Sequence, residues 1–126
     1  MKNIIKRLIL DMFGVKITRF DRRIVSLRSE NNSIGDVLLS YVIDPFLMKK
    51  SENIPLSHQK YWESLQIATT FLELGFNVDV INYNNTSFSP KKNYNIFIGS
   101  RVNFHQIAHH LNPDCIKIAH LTIFIK

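Results

Sequence analysis

Several residue types are scarce in this sequence, and each scarcity excludes a class of protein. The one cysteine, Cys115, excludes an intrachain disulfide and suits a reducing, cytoplasmic environment. No apolar run approaches the roughly 18 residues of a transmembrane helix, and no secretory segment is evident. Four glycines and four prolines among 126 residues, with 45% apolar residues, argue against a low-complexity or disordered chain. We therefore expect one small globular unit.

Acidic residues are rare near the N-terminus, and the net charge is concentrated there. Residues 1–28 contain eight Lys or Arg and only two Asp, which accounts for the whole net charge of +6. Five apolar residues of this arm recur at helical spacing: Ile4, Ile5, Leu8, Ile9 and Met12. The pattern predicts a basic amphipathic N-terminal helix.

Two interpretations of this arm remain open. Residues 1–28 could adsorb to an anionic membrane surface, at the inner face if the protein is cytoplasmic, or the helix could simply pack on its own domain. Nucleic acid is a weaker candidate, because only Phe13 and Phe20 offer rings for stacking and no nucleic-acid motif is present.

The remaining residues, 29–126, alternate between strand and helix patterns. Strands are predicted over residues 35–41, 76–83, 94–99 and 115–121, with a further short strand at 23–27. Helices are predicted after Ser57 and over residues 103–111, and residues 44–56, with two prolines, are predicted to be a loop. This order indicates an α/β fold with a partial Rossmann-like parallel sheet of about four strands and flanking helices.

The first of these helices has the clearest pattern. Ser57 is suited to cap its N-terminus, and Gly75 is suited to end it in the left-handed conformation. Between them, four residues recur every three to four positions and predict a buried face: Tyr61, Leu65, Ala68 and Leu72.

Several separated segments resemble bacterial, especially cyanobacterial, glycosyltransferases of the two-domain GT-B type (group 1, family 4-like). The resemblance covers roughly residues 33–121. Its segments are VLLSY at 37–41, PF at 45–46, SHQKYWES at 57–64, GFNVDVI at 75–81, FSPKK at 88–92, NF at 103–104 and CIKI at 115–118. The chain departs from many relatives in lacking a Gly-Gly pair in the 44–58 loop.

The resemblance implies that residues 29–126 are part of the acceptor-side domain of such an enzyme. It also implies that the nucleotide-sugar is held by a second domain, which these residues do not include. The expected function is that of a truncated glycosyltransferase-like protein of polysaccharide or lipid-linked glycan biosynthesis, inactive alone, with a glycan or lipid-linked acceptor and no cofactor. The alternative is a non-catalytic scaffold that binds a membrane surface or a partner chain supplying the missing domain, with an apolar sheet face or edge left exposed.

Candidate site residues lie around the start of the helix after Ser57, because ligands of open α/β sheets bind beyond the carboxyl ends of the strands. His58 and Glu63 are the catalytic candidates, as groups that deprotonate or orient an acceptor hydroxyl. Ser57, Tyr61 and Trp62 are substrate-binding candidates, with Trp62 suited to stack on a sugar ring. The structural alternatives are helix capping or solvent exposure for His58, core packing for Trp62 and a helix-dipole contact for Glu63.

Histidines near the C-terminal end of the sequence raise the question of a metal. His105 and His109 are four residues apart on a predicted helix and would share one face. No second close pair of ligands accompanies them, so we predict no metal site. Cys115, on an apolar strand, is predicted to be a buried, unreactive thiol.

Overall fold

The computed structural model of the protein describes residues 22–30, 32–48 and 59–120. The five strands of this part are β1 (Ile24–Leu27), β2 (Gly35–Tyr41), β3 (Phe76–Asn82), β4 (Ile96–Ser100) and β5 (Ile116–His120). The three helices of the same part are α1 (Asp44–Leu47), α2 (Gln59–Glu73) and α3 (Phe104–Ala108). The predicted α/β fold is thus confirmed, whereas the predicted N-terminal amphipathic helix lies outside the described residues.

One mixed sheet organises these elements, with strand order β1-β3-β2-β4-β5. Strands β3, β2, β4 and β5 are mutually parallel, and β1 pairs with β3 in the antiparallel sense. From β2 the chain moves outward to β3 on one side, and it later crosses to β4 and β5 on the other. This reversal of direction is a feature of doubly wound, Rossmann-like sheets.

The two helices that connect parallel strands cover opposite faces of the sheet. Helix α2 packs through Ala68 against a cluster that includes Val37 and Val80, and α3 packs through Ile107 against a cluster that includes Leu38. Right-handed crossovers that run in opposite directions along a sheet place their helices on opposite faces. We call these the α2 face and the α3 face.

Glycines permit two of the tight contacts in this arrangement. Gly75 has φ of 101° and follows the end of α2, as predicted for a residue that stops a helix in the left-handed region. Gly99 lies under α3, where an added Cβ would come within 2.6 Å of the Phe97 ring and 2.8 Å of the Phe104 ring. Its missing side chain leaves room for Phe104 to stack on Phe97, with ring centroids 5.2 Å apart.

Three features differ from the sequence-based predictions or refine them. The sheet is mixed and has five strands, because β1 adds to the outer edge of β3 in the antiparallel sense. Strand β1 falls inside residues 1–28, so the end of the predicted arm belongs to the sheet. Residues 44–47, predicted as loop, form α1, because Pro45 sits in the first turn of a helix, where its missing N–H costs nothing.

A buried carboxylate ties the 83–95 connection to the sheet on the α3 face. The Tyr94 hydroxyl donates to Asp79 Oδ2 at 2.7 Å, and Lys92 Nζ lies 3.0 Å from the same oxygen and 3.1 Å from Asp36 Oδ1. Burial by itself raises the pKa of Asp79, but hydrogen bonds from Tyr94, Lys92 and Ser26 outweigh it and hold that pKa below its usual value. The charged form of Asp79 is therefore the one that the fold stabilises.

The lengths and compositions of the helices in the described part of the chain bear on whether one of them could span a membrane. None of its helices is long and apolar enough to cross a bilayer.

Replacing Asp79 should reveal this carboxylate as a source of pH-dependent stability. We expect Asp79→Asn to lower the free energy of unfolding at pH 7 by about 1–3 kcal/mol, because Tyr94 and Lys92 lose their charged acceptor. Since the pKa of Asp79 is lower when folded, its contribution is complete above the unfolded pKa of about 3.9 and is lost as pH falls through the folded value. Urea unfolding between about pH 7 and about pH 2 should show that the free energy of unfolding falls less on acidification in the variant than in the wild type.

Glu73→Gln is the matched control, since Glu73 is an exposed carboxyl at the end of α2. Its pH profile should follow that of the wild type. If acidification lowered the free energy of unfolding equally in the wild type and in Asp79→Asn, the role given to Asp79 would be contradicted.

Candidate functional site

The carboxyl ends of β2 and β4 meet where the sheet reverses direction. From β2 the chain goes to one side and from β4 to the other, which is the arrangement that forms a ligand crevice in doubly wound sheets. Helix α2 begins above this edge, after the segment that follows β2. The crevice is therefore the part of the fold in which ligands of doubly wound sheets are usually found.

Buried amides hold the loops on the α3 side of this crevice. Asn103 Oδ1 accepts a hydrogen bond from the Ser40 hydroxyl at 2.8 Å, and its Nδ2 donates to the carbonyls of Asn82 and Asn85 at 3.3 and 3.0 Å. Asn103 and Ser40 are fully buried. One side chain thus joins the ends of β2 and β3 to the start of α3, and its polar groups are satisfied within the protein.

On the α2 side, a carboxylate lies between a tyrosine and a histidine. Glu63 Oε2 accepts a hydrogen bond from the Tyr41 hydroxyl at 2.8 Å and lies 3.5 Å from His120 Nε2. The rings of Tyr41 and His120 meet edge to face, with centroids 5.0 Å apart. We call Tyr41, Glu63 and His120 the Glu63 cluster; its members come from the end of β2, the second turn of α2 and the end of β5.

The helix is anchored where it presents Glu63. The buried hydroxyl of Ser64 donates to the carbonyl of Val42 at 2.7 Å, which fixes the start of α2 to the segment after β2. The side chains of Glu63 and His120 are each about one third exposed. The cluster therefore combines a positioned carboxylate, an imidazole and a phenol at a surface that solvent reaches.

This arrangement can bind and polarise a hydroxyl group. A carboxylate is an acceptor, a neutral imidazole offers one donor and one acceptor nitrogen, and the phenol of Tyr41 already orients the carboxylate. Histidine near neutral pH can also exchange a proton with a bound group. An ordinary phosphate ligand fits less well, because Glu63 would repel it.

The structure places the sequence-predicted site residues at different points. Glu63 lies in the cluster just described. Trp62 is 42% exposed on α2, so part of its side chain reaches solvent. Tyr61 turns toward α1 and donates to Asp44 Oδ2 at 2.8 Å, and burial, followed by Asp44, raises its pKa. Ser57 and His58 lie outside the described residues.

The remaining histidines and the cysteine are elsewhere. His105 on α3 and His109, which follows the last residue of α3, are exposed, with ring centroids 4.8 Å apart. Across residues 22–30, 32–48 and 59–120, no group of three or more His, Cys, Asp or Glu side chains is arranged to hold a metal ion. Cys115 is buried, as predicted, and burial raises the pKa of its thiol.

Sequence reasoning missed Tyr41 and His120 as site residues. Both stand at the carboxyl end of a predicted parallel strand, so the rule that ligands bind at that edge could have singled them out. The contact of each with Glu63 depends on strand order and on the position of α2, neither of which local patterns specify.

Comparison of the chain with protein-family models, with curated proteins and with solved structures finds no match.

Truncating Asn103 should loosen the carboxyl edge of the sheet. We expect Asn103→Ala to lower the free energy of unfolding by about 2–3 kcal/mol, because the Ser40 hydroxyl and the carbonyls of Asn82 and Asn85 lose their buried partner. Urea unfolding measures the loss, and Asn93→Ala, at an exposed position in the 83–95 connection, should change stability by less than about 0.5 kcal/mol. Similar stabilities for the two variants would show that the amide network is dispensable.

Proposed function

We propose that this chain is the acceptor-side, Rossmann-like domain of a glycosyltransferase-like protein of polysaccharide or lipid-linked glycan assembly. Its Glu63 cluster would bind a hydroxyl group of the glycan or lipid-linked acceptor. The observation that carries the proposal is the contact of Glu63 with both Tyr41 and His120 at the carboxyl edge of the parallel strands.

The chemistry of the cluster supports an uncharged, hydroxyl-bearing ligand. Glu63 would accept a hydrogen bond from the acceptor hydroxyl, and Tyr41 would keep the carboxylate in position. His120, within 3.5 Å of the carboxylate, would share or remove the hydroxyl proton. Trp62 on the same helix is 42% exposed and would offer an apolar ring to the face of a sugar that reaches it.

The proposal assigns acceptor binding to these residues and donor binding to a second domain. The motif resemblance at residues 37–41, 57–64 and 75–81 motivates this division. We expect these 126 residues by themselves to bind an acceptor without transferring sugar. A cytoplasmic location belongs to the same proposal, since a buried, unpaired Cys115 suits a reducing compartment.

A titration with simple glycosides tests the acceptor site. We expect millimolar methyl α- and β-hexopyranosides to shift amide resonances of the full chain near Glu63 and His120 in two-dimensional NMR spectra. Glu63→Gln should weaken the binding about 10-fold, because the oxygen that accepts the hydrogen bond of the glycoside loses its charge while the side chain keeps its shape.

Glu73→Gln serves as the control, with one carboxylate removed at the other end of the same helix. It should bind the glycosides as the wild type does. Absence of any shift across the panel, or equal affinity of Glu63→Gln and wild type, would rule out this site as a hydroxyl-binding one. Turnover of a nucleotide-sugar by the chain alone would instead overturn the division between two domains.

A second candidate function is a non-catalytic module that docks to an anionic membrane surface. The observation that favours it is a basic, partly apolar edge at β1, where Arg22, Arg23, Arg28 and Ile24 are all exposed. At the opposite edge of the sheet, Ile116 and Ile118 of β5 are 60% and 45% exposed. These apolar side chains would favour the binding of a partner chain along that edge.

Vesicle binding distinguishes this candidate from the first. If β1 docks to anionic lipid, the double variant Arg22→Gln/Arg28→Gln should lower the partition coefficient about 30-fold, because each basic residue near the surface contributes about 1 kcal/mol. Co-sedimentation of the full chain with phosphatidylserine-containing vesicles measures this. Lys91→Gln/Arg101→Gln removes the same charge from exposed positions elsewhere. Equal loss in both double variants would indicate attraction by net charge alone.

A further inference from the structure

A buried hydroxyl beside the Glu63 cluster has no partner. Ser100, the last residue of β4, is 8% exposed, and its Oγ makes no hydrogen bond to the described part of the protein. It is the one buried side-chain oxygen or nitrogen in that part for which this is true. Buried hydroxyls are nearly always hydrogen-bonded, so an unpaired one calls for a specific explanation.

Strand register places Ser100 in the same row as the cluster. On one side Ser100 pairs with His120 of β5, and on the other, Ser40 of β2 pairs with Gly99, which puts Tyr41 one step beyond, next to Ser100. Side chains at equivalent positions of neighbouring strands share a face. Ser100 therefore lies between the strand positions of Tyr41 and His120, on the α2 face that carries Glu63.

A second serine at the same edge provides a comparison, because its buried hydroxyl is hydrogen-bonded within the protein. Ser40 is fully buried on the α3 face, and its hydroxyl donates to Asn103 at 2.8 Å. The two serines belong to neighbouring strands, lie one register step apart and are buried to a similar degree. They differ in that one hydroxyl is satisfied by the protein and the other is not.

We infer that the Ser100 hydroxyl is a ligand-binding group, whose partner is a hydroxyl of the acceptor held by Glu63. This inference rests on the proposed function and adds to it a third binding side chain from the central part of the sheet. A hydroxyl both donates and accepts, so it suits a polyhydroxylated ligand. Two hydroxyls of one sugar could then be held at once, by Glu63 and by Ser100.

Access to Ser100 requires a small movement, because its Oγ is covered in the free protein. His120, its register partner, is the side chain that would move: it is about one third exposed, lies 3.5 Å from Glu63 and meets the Tyr41 ring edge to face. When a ligand hydroxyl takes the carboxylate, His120 would lose its contact with Glu63 and keep only the ring contact as it turns toward solvent. Binding at Glu63 and exposure of Ser100 would then occur together.

Stability and affinity, measured on the same two variants, test the inference. Ser100→Ala should keep or raise the urea midpoint of the free protein, because it removes an unsatisfied buried group, and should weaken methyl glycoside binding about 5- to 10-fold. The matched variant Ser40→Ala should lower the folding equilibrium constant about 10-fold, because it leaves Asn103 without its donor. Under conditions in which Ser40→Ala and the wild type are both folded, Ser40→Ala should bind the glycosides as the wild type does.

The outcomes separate this inference from the function on which it rests. If the wild type binds a glycoside and Ser100→Ala binds it equally well, the inference fails while the proposed function stands. A lower urea midpoint for Ser100→Ala, comparable to that of Ser40→Ala, would also overturn it, because the hydroxyl would then be satisfied within the protein. If the wild type binds none of the glycosides, the proposed function fails and the assignment of Ser100 to that ligand fails with it.

Discussion

Strand β2 is hydrogen-bonded along both edges and covered on both faces, and the other elements take their positions from it. Its parallel partners are β3 and β4, and its residues Val37, Leu38 and Leu39 have no exposed surface. A strand in this environment must be apolar on both faces, as it is in parallel sheets generally. The chain leaves β2 in one direction and returns past it in the other, so the crevice that carries the candidate site opens directly beyond its end.

Local patterns predicted much of this framework because the signals were local. Three consecutive apolar residues indicated a doubly covered strand, and the apolar spacing before Gly75 indicated α2 and its end. The same reasoning misjudged Pro45, because proline opposes the interior of a helix but is well suited to its first turn. It also left open that β1 adds to β3 in the antiparallel sense, since an edge partner is chosen by tertiary packing.

The site was harder to predict than the fold, because its members are distant in sequence. Glu63 was singled out from its place near the start of a helix. The residues that contact Glu63, Tyr41 and His120, are 22 residues before it and more than 50 after it. Their meeting depends on the parallel register of β2, β4 and β5 and on the hydrogen bond of Ser64 that anchors α2. No short window of sequence contains that information.

Polar groups along the carboxyl edge differ in whether the protein itself satisfies their hydrogen bonding. On the α3 side, Asn103 is hydrogen-bonded to Ser40 and to the carbonyls of Asn82 and Asn85, and both Asn103 and Ser40 are fully buried. On the α2 side, Glu63 and His120 are each about one third exposed and lie 3.5 Å apart, and the buried hydroxyl of Ser100, between the strand positions of Tyr41 and His120, is unsatisfied. Because an unpaired buried hydroxyl costs free energy, stability alone would favour alanine at position 100. The inferred ligand would complete the hydrogen bonding of Ser100 and would also bind the carboxylate of Glu63 on the same face of the sheet.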